Sequence, residues 1–453
     1  MSIDRLRDRL SKLLREFRAA RGGNVAITFA FATLPLIAFV GAAVDYSRAN
    51  TVKAAMQAAL DTTALMLSKE AASDTTGQLQ SNAQKYFAAL FTRPEAQNAA
   101  VTATYTTTGG STIVVNGSVQ VPTIFMGVVG FKTFDVDASS TVKWGSARLR
   151  VALVLDNTGS MASAGKMTAL KTATKNLLNQ LKTAATVDGD VYVSIIPFSK
   201  DVNVGASNYN ASWIDWTKWD AQNGSCTKNH YHDEQSCSSH NFTWTPNNHS
   251  TWNGCIMDRG TSAAPGSTPD YDQKVDLPNP GIMASLFPAE QYGSCPIAMM
   301  GLNYNWSAMN SLVNQMQPKG STNQPIGLVW GWQSLVGGGP LTAPAKDPNY
   351  KYQDVIILMS DGLNTQDRWY QAQTPVDNRM YQTGNGSGTC ANIKATGVTI
   401  YTIQVNTDGD PTSTLLQNCA SSSDKFYLLT SANQIISAFN AIGTSLTQLR
   451  VAK

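Results

Sequence analysis

The stretch "VALVLDNTGSMASAGKMTAL", residues 151–170, decides the reading of this 453-residue chain. Val151 to Leu155 form a continuous apolar run, the pattern of a strand buried on both faces. Asp156 follows, then hydroxyls and glycines, then apolar residues at helical spacing from Met167. A strand that runs through a polar loop into a helix opens three kinds of site. These are a phosphate loop, a serine nucleophile followed by lysine, and a metal site built from oxygens.

A phosphate loop needs G-x-x-x-x-G-K-[ST], whose glycine amides wrap the phosphates and whose hydroxyl binds magnesium. Here five residues, not four, separate Gly159 from Gly165, and Met167 stands in place of the hydroxyl. The serine–lysine reading has "SAGK", Ser163 to Lys166, but the S-D-N and K-T-G elements that accompany it are absent from the chain. The metal reading takes "DNTGS" as D-x-[ST]-x-S, with Asp156, Thr158 and Ser160 on a tight loop at the end of a strand. Hard cations take oxygen ligands, and Mg2+ favours six, so more oxygens must come from elsewhere. "PKGSTNQPIGLVWGWQSL" supplies Thr322 just before a helical pattern, and "DVIILMSDG" supplies Asp361 directly after the apolar run Val355 to Met359. In an open doubly wound sheet, ligands bind outside the carboxyl ends of the strands, where both acids fall. The competing reading is that these residues cap helices, since Ser, Thr and Asp are favoured at helix N-termini.

The three motifs, in this order, resemble the metal-ion-dependent adhesion site of von Willebrand factor type A domains. The resemblance implies hydroxyl ligands from Thr158, Ser160 and Thr322, with Asp156 and Asp361 acting directly or through water. It implies Mg2+, or another divalent cation such as Mn2+ or Ca2+, with one position left for an acidic side chain of a partner protein. Thr158 stands where serine is usual, which keeps the hydroxyl and adds a methyl group.

The surrounding patterns predict an α/β fold with a doubly wound, mostly parallel sheet over residues 147–453. Met167, Leu170, Ala173, Leu177 and Leu181 recur at helical spacing, "VYVSIIPFS" and "VTIYTIQVN" read as strands, and Ile435, Phe439, Ile442, Leu446 and Leu449 share a helix face. Residues 202–318 interrupt this domain with a loop-rich insertion that holds all four histidines and four of the six cysteines. Cys226, Cys237, Cys255 and Cys295 allow three pairings, which sequence does not resolve. Cys390 and Cys419 flank a strand and could pair with each other. "CTKNHYHDEQSCSSH" offers His230, His232, Asp233 and His240 to zinc, at a spacing that matches no standard zinc signature. Trp213, Trp216, Trp219, Trp244, Trp252 and Trp306 read as the insertion's own small core or as a partner surface.

The N-terminal third differs. Residues 1–21 form a basic segment, and "MSIDRLRDRLSKLLREFRAARGG" holds seven Lys/Arg against three acids. From Val25 to Val44 no charge appears, long enough for one helix to cross a bilayer. The basic flank places residues 1–21 in the cytoplasm, residues 22–44 in the membrane and the rest beyond it. Cleavage near Gly41 and Ala43 as a signal peptide is the rival reading, against which the apolar run is long. Residues 45–146 read as a pilin-like stem helix, with Val52, Met56, Ala59, Thr63 and Leu67 on one face, followed by a small antiparallel sheet. Turns are expected at Gly109–Gly110 and at Asn116–Gly117. The net charge of +3, with no long basic patch outside the N-terminus, argues against a nucleic-acid partner.

The pieces "GGNVAITFAFATLPLIAFVGAAVDYSRA", "DNTGSM", "GSTNQPIGLVWGW", "SDG" and "FYLLTSANQIISAFNAIGTSLTQLRV" together resemble the TadG-like proteins of bacterial tight-adherence (Tad/Flp) pilus systems. The resemblance implies an inner-membrane, single-pass protein with its bulk in the periplasm or at the cell surface, binding pilus or pilus-assembly components. Related pilins are cut after a glycine and carry Glu five residues on. Gly23 is followed at that position by Thr28, which favours an uncut anchor over a processed minor pilin. No oriented nucleophile and base recommend an enzyme, and a zinc hydrolase built on the insertion's histidines is the enzymatic rival.

Overall fold

The computed structural model describes residues 15–16, 24–71, 73–107, 110–144, 147–185, 187–260, 270–382 and 384–451. Apart from 15–16, the expected cytoplasmic segment lies outside them, as do Gly23 and Gly109. The chain divides into two compact units, Met1–Lys143 and Trp144–Lys453.

In the first unit a 44-residue helix, α1 (Asn24–Leu67), carries both the apolar span and the stem. It is long and apolar enough to cross a membrane. Beyond the span its character changes: Val52, Met56, Ala59, Leu60, Thr63, Ala64 and Leu67 are all buried. This stripe recurs every three or four residues, so one face packs while the rest stays wet. Helix α2 (Thr76–Leu90) starts with a capping box between Thr75 and Gln78 and buries Leu79, Ala83 and Phe87. Strands β1 (Gln97–Thr106), β2 (Ser111–Pro122) and β3 (Thr133–Trp144) form an antiparallel sheet in that order. The expected Asn116–Gly117 turn is absent, because β2 runs straight through it and those residues pair with Thr102 and Val101. Gly117 instead makes room for the stem. A Cβ there would stand 3.0 Å from Leu60 Cδ2.

The second unit is built on parallel strands. β4 (Ala147–Asp156) lies between β5 (Val191–Phe198) and a longer strand, β7 (Lys351–Ser360). Beyond β7 come β8 (Thr399–Val405) and β9 (Phe426–Leu429). All four pairings are parallel. β6 (Met300–Asn303) joins the free side of β5 antiparallel. The sheet is mostly parallel and covered on both faces. Val151, Leu153 and Leu155 face one core, with helices α3 (Lys166–Ala184), α4 (Trp306–Gln315) and α7 (Asn433–Val451). Ala152 and Val154 face the other, with α5 (Gln324–Leu335). Two-residue alternation between two apolar layers is why β4 reads as an unbroken apolar run. Every residue of α5 is buried, and Gly331 lets it lie close on the sheet, since a Cβ there would stand 2.6 Å from Val154 Cγ2. A further helix, α6 (Gln373–Met380), follows the β7 loop.

The insertion is more ordered than its composition suggests. Short strands Val202–Asn203, Cys255–Ile256, Phe287–Glu290 and Ile214–Asp215 continue the sheet outward from β5. Its last part is domain core: β6 pairs with β5, and Met309, Leu312 and Val313 of α4 pack beside α3. Disulfides join Cys226 to Cys237, Cys255 to Cys295 and Cys390 to Cys419. Trp219 and Trp252 are buried with Ile256 and Phe287, so these tryptophans form core.

Candidate metal centre

Parallel pairing sets the site. β4 and β7 run side by side with Leu155 opposite Met359, so Asp156 and Asp361 emerge together at one end of the sheet. The β4 loop then folds back. Asp156 Oδ1 accepts a hydrogen bond from the Thr158 amide at 2.8 Å, and Asp156 Oδ2 accepts one from Ser360 Oγ at 2.6 Å. The Thr158 and Ser160 hydroxyls lie 2.9 Å apart, and Ser160 Oγ donates to Asp361 Oδ1 at 2.7 Å. Four of the five oxygen-bearing residues therefore lie in one chain of contacts.

Thr322 enters through its backbone. The loop before α5 runs beside the β4 loop: the Gly159 amide donates to Gly320 O at 2.9 Å, and the Lys319 amide to Asn157 O at 2.8 Å. Gly320 is at φ +85°, and a Cβ there would stand 2.8 Å from the Tyr292 hydroxyl, so only glycine fits the crossing. The Thr322 amide donates to Thr365 Oγ1, and Thr322 O accepts from the Thr365 amide. Thr322 is thus clamped between the first loop and the one after β7.

The capping explanation does not account for these residues. α3 begins at Gly165 and α5 at Asn323, neither with a side-chain cap, and Thr158 caps nothing with its side chain. The side-chain oxygens of Thr158, Ser160 and Asp361 are turned toward one another instead, while Thr322 is held by its backbone.

Burial raises the Asp156 carboxyl to about 7, and the nearby Asp361 charge adds to the rise. Two buried acids side by side are a poor arrangement without a cation. One cation is intrinsic: Lys166 Nζ, fully buried, stands 2.7 Å from Asp361 Oδ2 and donates to Asp408 Oδ2 at 3.1 Å. Burial works to lower the Lys166 pKa, but hydrogen bonding and charge from Asp361, then Asp408, hold it above its ordinary value. Asp361 is thus shared between Ser160, which donates to Oδ1, and Lys166, which stands at Oδ2. The side chains brought together here, the Asp156 and Asp361 carboxylates and the Thr158 and Ser160 hydroxyls, offer oxygen alone, the donor type that hard divalent ions take. Among the described residues no group of three or more His, Cys, Asp or Glu side chains is placed to hold a metal ion.

Sequence reading missed the support around this group. Asn323 donates to Lys200 O and to Asp258 Oδ2. Asp258 in turn meets Arg379 Nη1 at 2.6 Å, and the same guanidinium reaches Asp270, Asp272 and Asp367. A buried ionic network thereby ties the insertion to the loop that carries Thr322. No local periodicity announces it, since its members are scattered over more than a hundred residues.

Two of the residues considered for zinc, Asp233 and His240, have other partners. Cys226 and Cys237 form a disulfide, and Asp233 caps the short helix Glu234–Ser239. His240 stacks on Tyr231 with ring centroids 4.5 Å apart.

Residues 23–73 match the Tad family, described as "Putative Flp pilus-assembly TadE/G-like". The N-terminal region is TadE/G-like. None of the curated proteins matches the chain. Among solved structures, the pilus adhesin SpaC from Lactobacillus rhamnosus GG, in an open conformation, is 14% identical with a TM-score of 0.33, over 79% of this chain and 35% of SpaC. The vWF domain of the type V pili tip protein Mfa5 from Porphyromonas gingivalis is 9% identical with a TM-score of 0.34, over 66% of this chain and 95% of that domain. Proximal thread matrix protein 1 from the mussel byssus, with a zinc-occupied MIDAS motif, is 13% identical with a TM-score of 0.31, over 65% of this chain and 46% of that protein. The chain spans about a third of the length of SpaC.

Proposed function

We propose that this chain, TadE/G-like at its N-terminus and von Willebrand factor A-like in its larger unit, is a membrane-anchored component of a Tad/Flp pilus system. It captures a protein partner through a divalent cation at the end of the central sheet, and it is a binding protein rather than an enzyme. One observation carries this reading: the hydrogen-bonded sequence Thr158–Ser160–Asp361, set beside Asp156 and the clamped Thr322 loop at adjacent strand ends. Asp156, Thr158, Ser160, Thr322 and Asp361 would hold Mg2+, Mn2+ or Ca2+. The ion, when bound, supplies an open coordination position for an Asp or Glu of the partner. Ser360 fixes one oxygen of Asp156, and Lys166 balances Asp361. A carboxylate meeting a fixed cation is strong and directional, which suits reversible docking.

The apolar half of α1 serves as the anchor, with the basic N-terminus cytoplasmic and residues 45–453 beyond the inner membrane. Three disulfides fit an oxidising compartment such as the periplasm. The test is capture of pilus components by the full chain in nanodiscs, with Mg2+ or with excess chelator. Capture should vanish in chelator and in Asp156→Ala and Asp361→Ala. Capture that persists in chelator overturns the metal mechanism. A second reading, a minor pilin cut after Gly23, draws on the family match that starts at residue 23. The mass of the mature N-terminus separates the two.

A further inference from the structure

The stretch between β2 and β3, "PTIFMGVVGF" (122–131), carries no charge and leaves its apolar side chains in the open. Ile124, Phe125, Val129 and Phe131 are exposed, and Val128 is 87% exposed. Water is a poor solvent for such a cluster, and clustered exposed apolar groups mark a binding surface. The chain places it with care. Gly41 of α1 lies against Phe125, so close that a Cβ at position 41 would stand 2.4 Å from Phe125 Cβ. The loop therefore packs on the outer end of the apolar span, three residues before Val44.

Its backbone is unusually well satisfied for an exposed loop. Asp45, the first charged residue after the span and only 1% exposed, accepts from the Ile124 amide at 2.9 Å and from the Phe125 and Met126 amides at 2.8 Å. The Val128 amide donates to Phe125 O, that of Gly130 to Gly127 O, and that of Phe131 to Met126 O. Gly130, at φ +99°, makes this tight return possible. A solvated loop needs none of this, because water serves its amides, whereas backbone at membrane depth must be satisfied from within. Basic residues flank the patch on either side, Arg48 on α1, 3.9 Å from Asp45, and Lys132 after Phe131, where they would meet headgroups.

We propose that residues 122–131 dip into the outer leaflet of the bilayer that α1 crosses, so that helix and loop grip the lipid at two points. This rests on reading α1 as a retained anchor. Interfacial segments of this kind sink roughly 5–10 Å below the headgroups, and Gly41 lies about 6 Å along the helix from Asp45 at 1.5 Å per residue. The double contact holds the small sheet upright on the membrane.

All six cysteines are in disulfides, so an introduced cysteine accepts a thiol-reactive fluorophore alone. The full chain is reconstituted in vesicles with an environment-sensitive label at Val128→Cys, at Phe39→Cys in the span, and at Thr106→Cys. Thr106 is exposed at the far end of the sheet, paired with Thr112, roughly 33 Å from Pro122 at 3.3 Å per residue. Phe131→Cys serves if Val128→Cys fails to fold. The labels at 39 and 128 should shift to the blue and lose emission when nitroxide lipids are included, the label at 128 most with nitroxides near the headgroup. The label at 106 should do neither. A quenched label at 39 beside an unquenched one at 128 overturns the loop proposal alone. If neither is quenched, the anchor reading fails and takes the proposal with it. A blue shift at 128 without lipid quenching means that protein covers the loop, a second copy or a pilus partner, and also overturns the proposal.

Discussion

Lys166 Nζ and Asp361 Oδ2 lie 2.7 Å apart with both side chains fully buried. The ammonium occupies the electrostatic position that a bound ion would share, so it competes with the cation that the oxygens are suited to hold. Removing one member of a buried pair leaves the other uncompensated, at a cost of roughly 3–5 kcal/mol. Lys166→Met should therefore destabilise the metal-free protein by about that amount. It should also bind divalent ions more tightly, by tenfold or more on the order of one buried charge contact. The check is thermal unfolding with and without Mg2+. The variant should gain more in Tm from Mg2+ than the parent does, and an equal gain would show that Lys166 has no influence on the site.

Much of this was legible in the sequence, for identifiable reasons. The stem stripe from Val52 to Leu67 and the α3 stripe from Met167 to Leu181 follow from helical spacing, and the buried strands follow from runs such as Val355 to Met359. The oxygens of the candidate site stood out because each follows or precedes a strong element. Lys166 did not, because "SAGK" first suggests a nucleophile pair and its real partners lie about two hundred residues away. The Asn116–Gly117 signal misled because local turn preference yielded to packing by Leu60. The ordered part of the insertion was hidden because strands of two to four residues carry no measurable period.

The Arg379 network makes a prediction about pH. Asp367 is buried, and burial, with the neighbouring Asp258 charge, pushes its carboxyl up to about 6. An ordinary Asp in the unfolded chain sits near 3.9. The folded state thus binds the proton more tightly, so this group's contribution is fully present below about pH 4 and lost as pH rises through about 6. Asp367→Asn keeps an acceptor for the Trp369 and Tyr370 amides and removes the titration. Between pH 4 and 7 the variant should gain about 2–3 kcal/mol on the parent. Urea unfolding across that range measures it, and parallel curves would refute it.

The Cys390–Cys419 disulfide closes a loop between residues 29 apart in sequence, with both cysteines in the core below α5. Chain entropy alone gives about 3–4 kcal/mol for a loop of that length. The double Cys390→Ala, Cys419→Ala variant should lose at least that much in chemical unfolding. The β4 and β7 loops hydrogen-bond without it, so metal binding by the surviving folded fraction should be unchanged.

Asn323 links the two levels of the site. Its amide nitrogen joins the Lys200 carbonyl to Asp258, and its backbone follows Thr322 directly. Asn323→Leu leaves Asp258 still paired with Arg379 but unties the Thr322 loop from that network. The loss of buried hydrogen bonds should cost about 1–3 kcal/mol of stability. Supporting residues of this kind typically shift metal affinity by about 10–100-fold. A weakening of Mg2+ or Mn2+ binding in that range, by isothermal titration on protein that still unfolds cooperatively, is the expected result. If affinity stays level while stability falls, Asn323 only braces the insertion, and Thr322 is positioned by the Gly320 crossing and Thr365 alone.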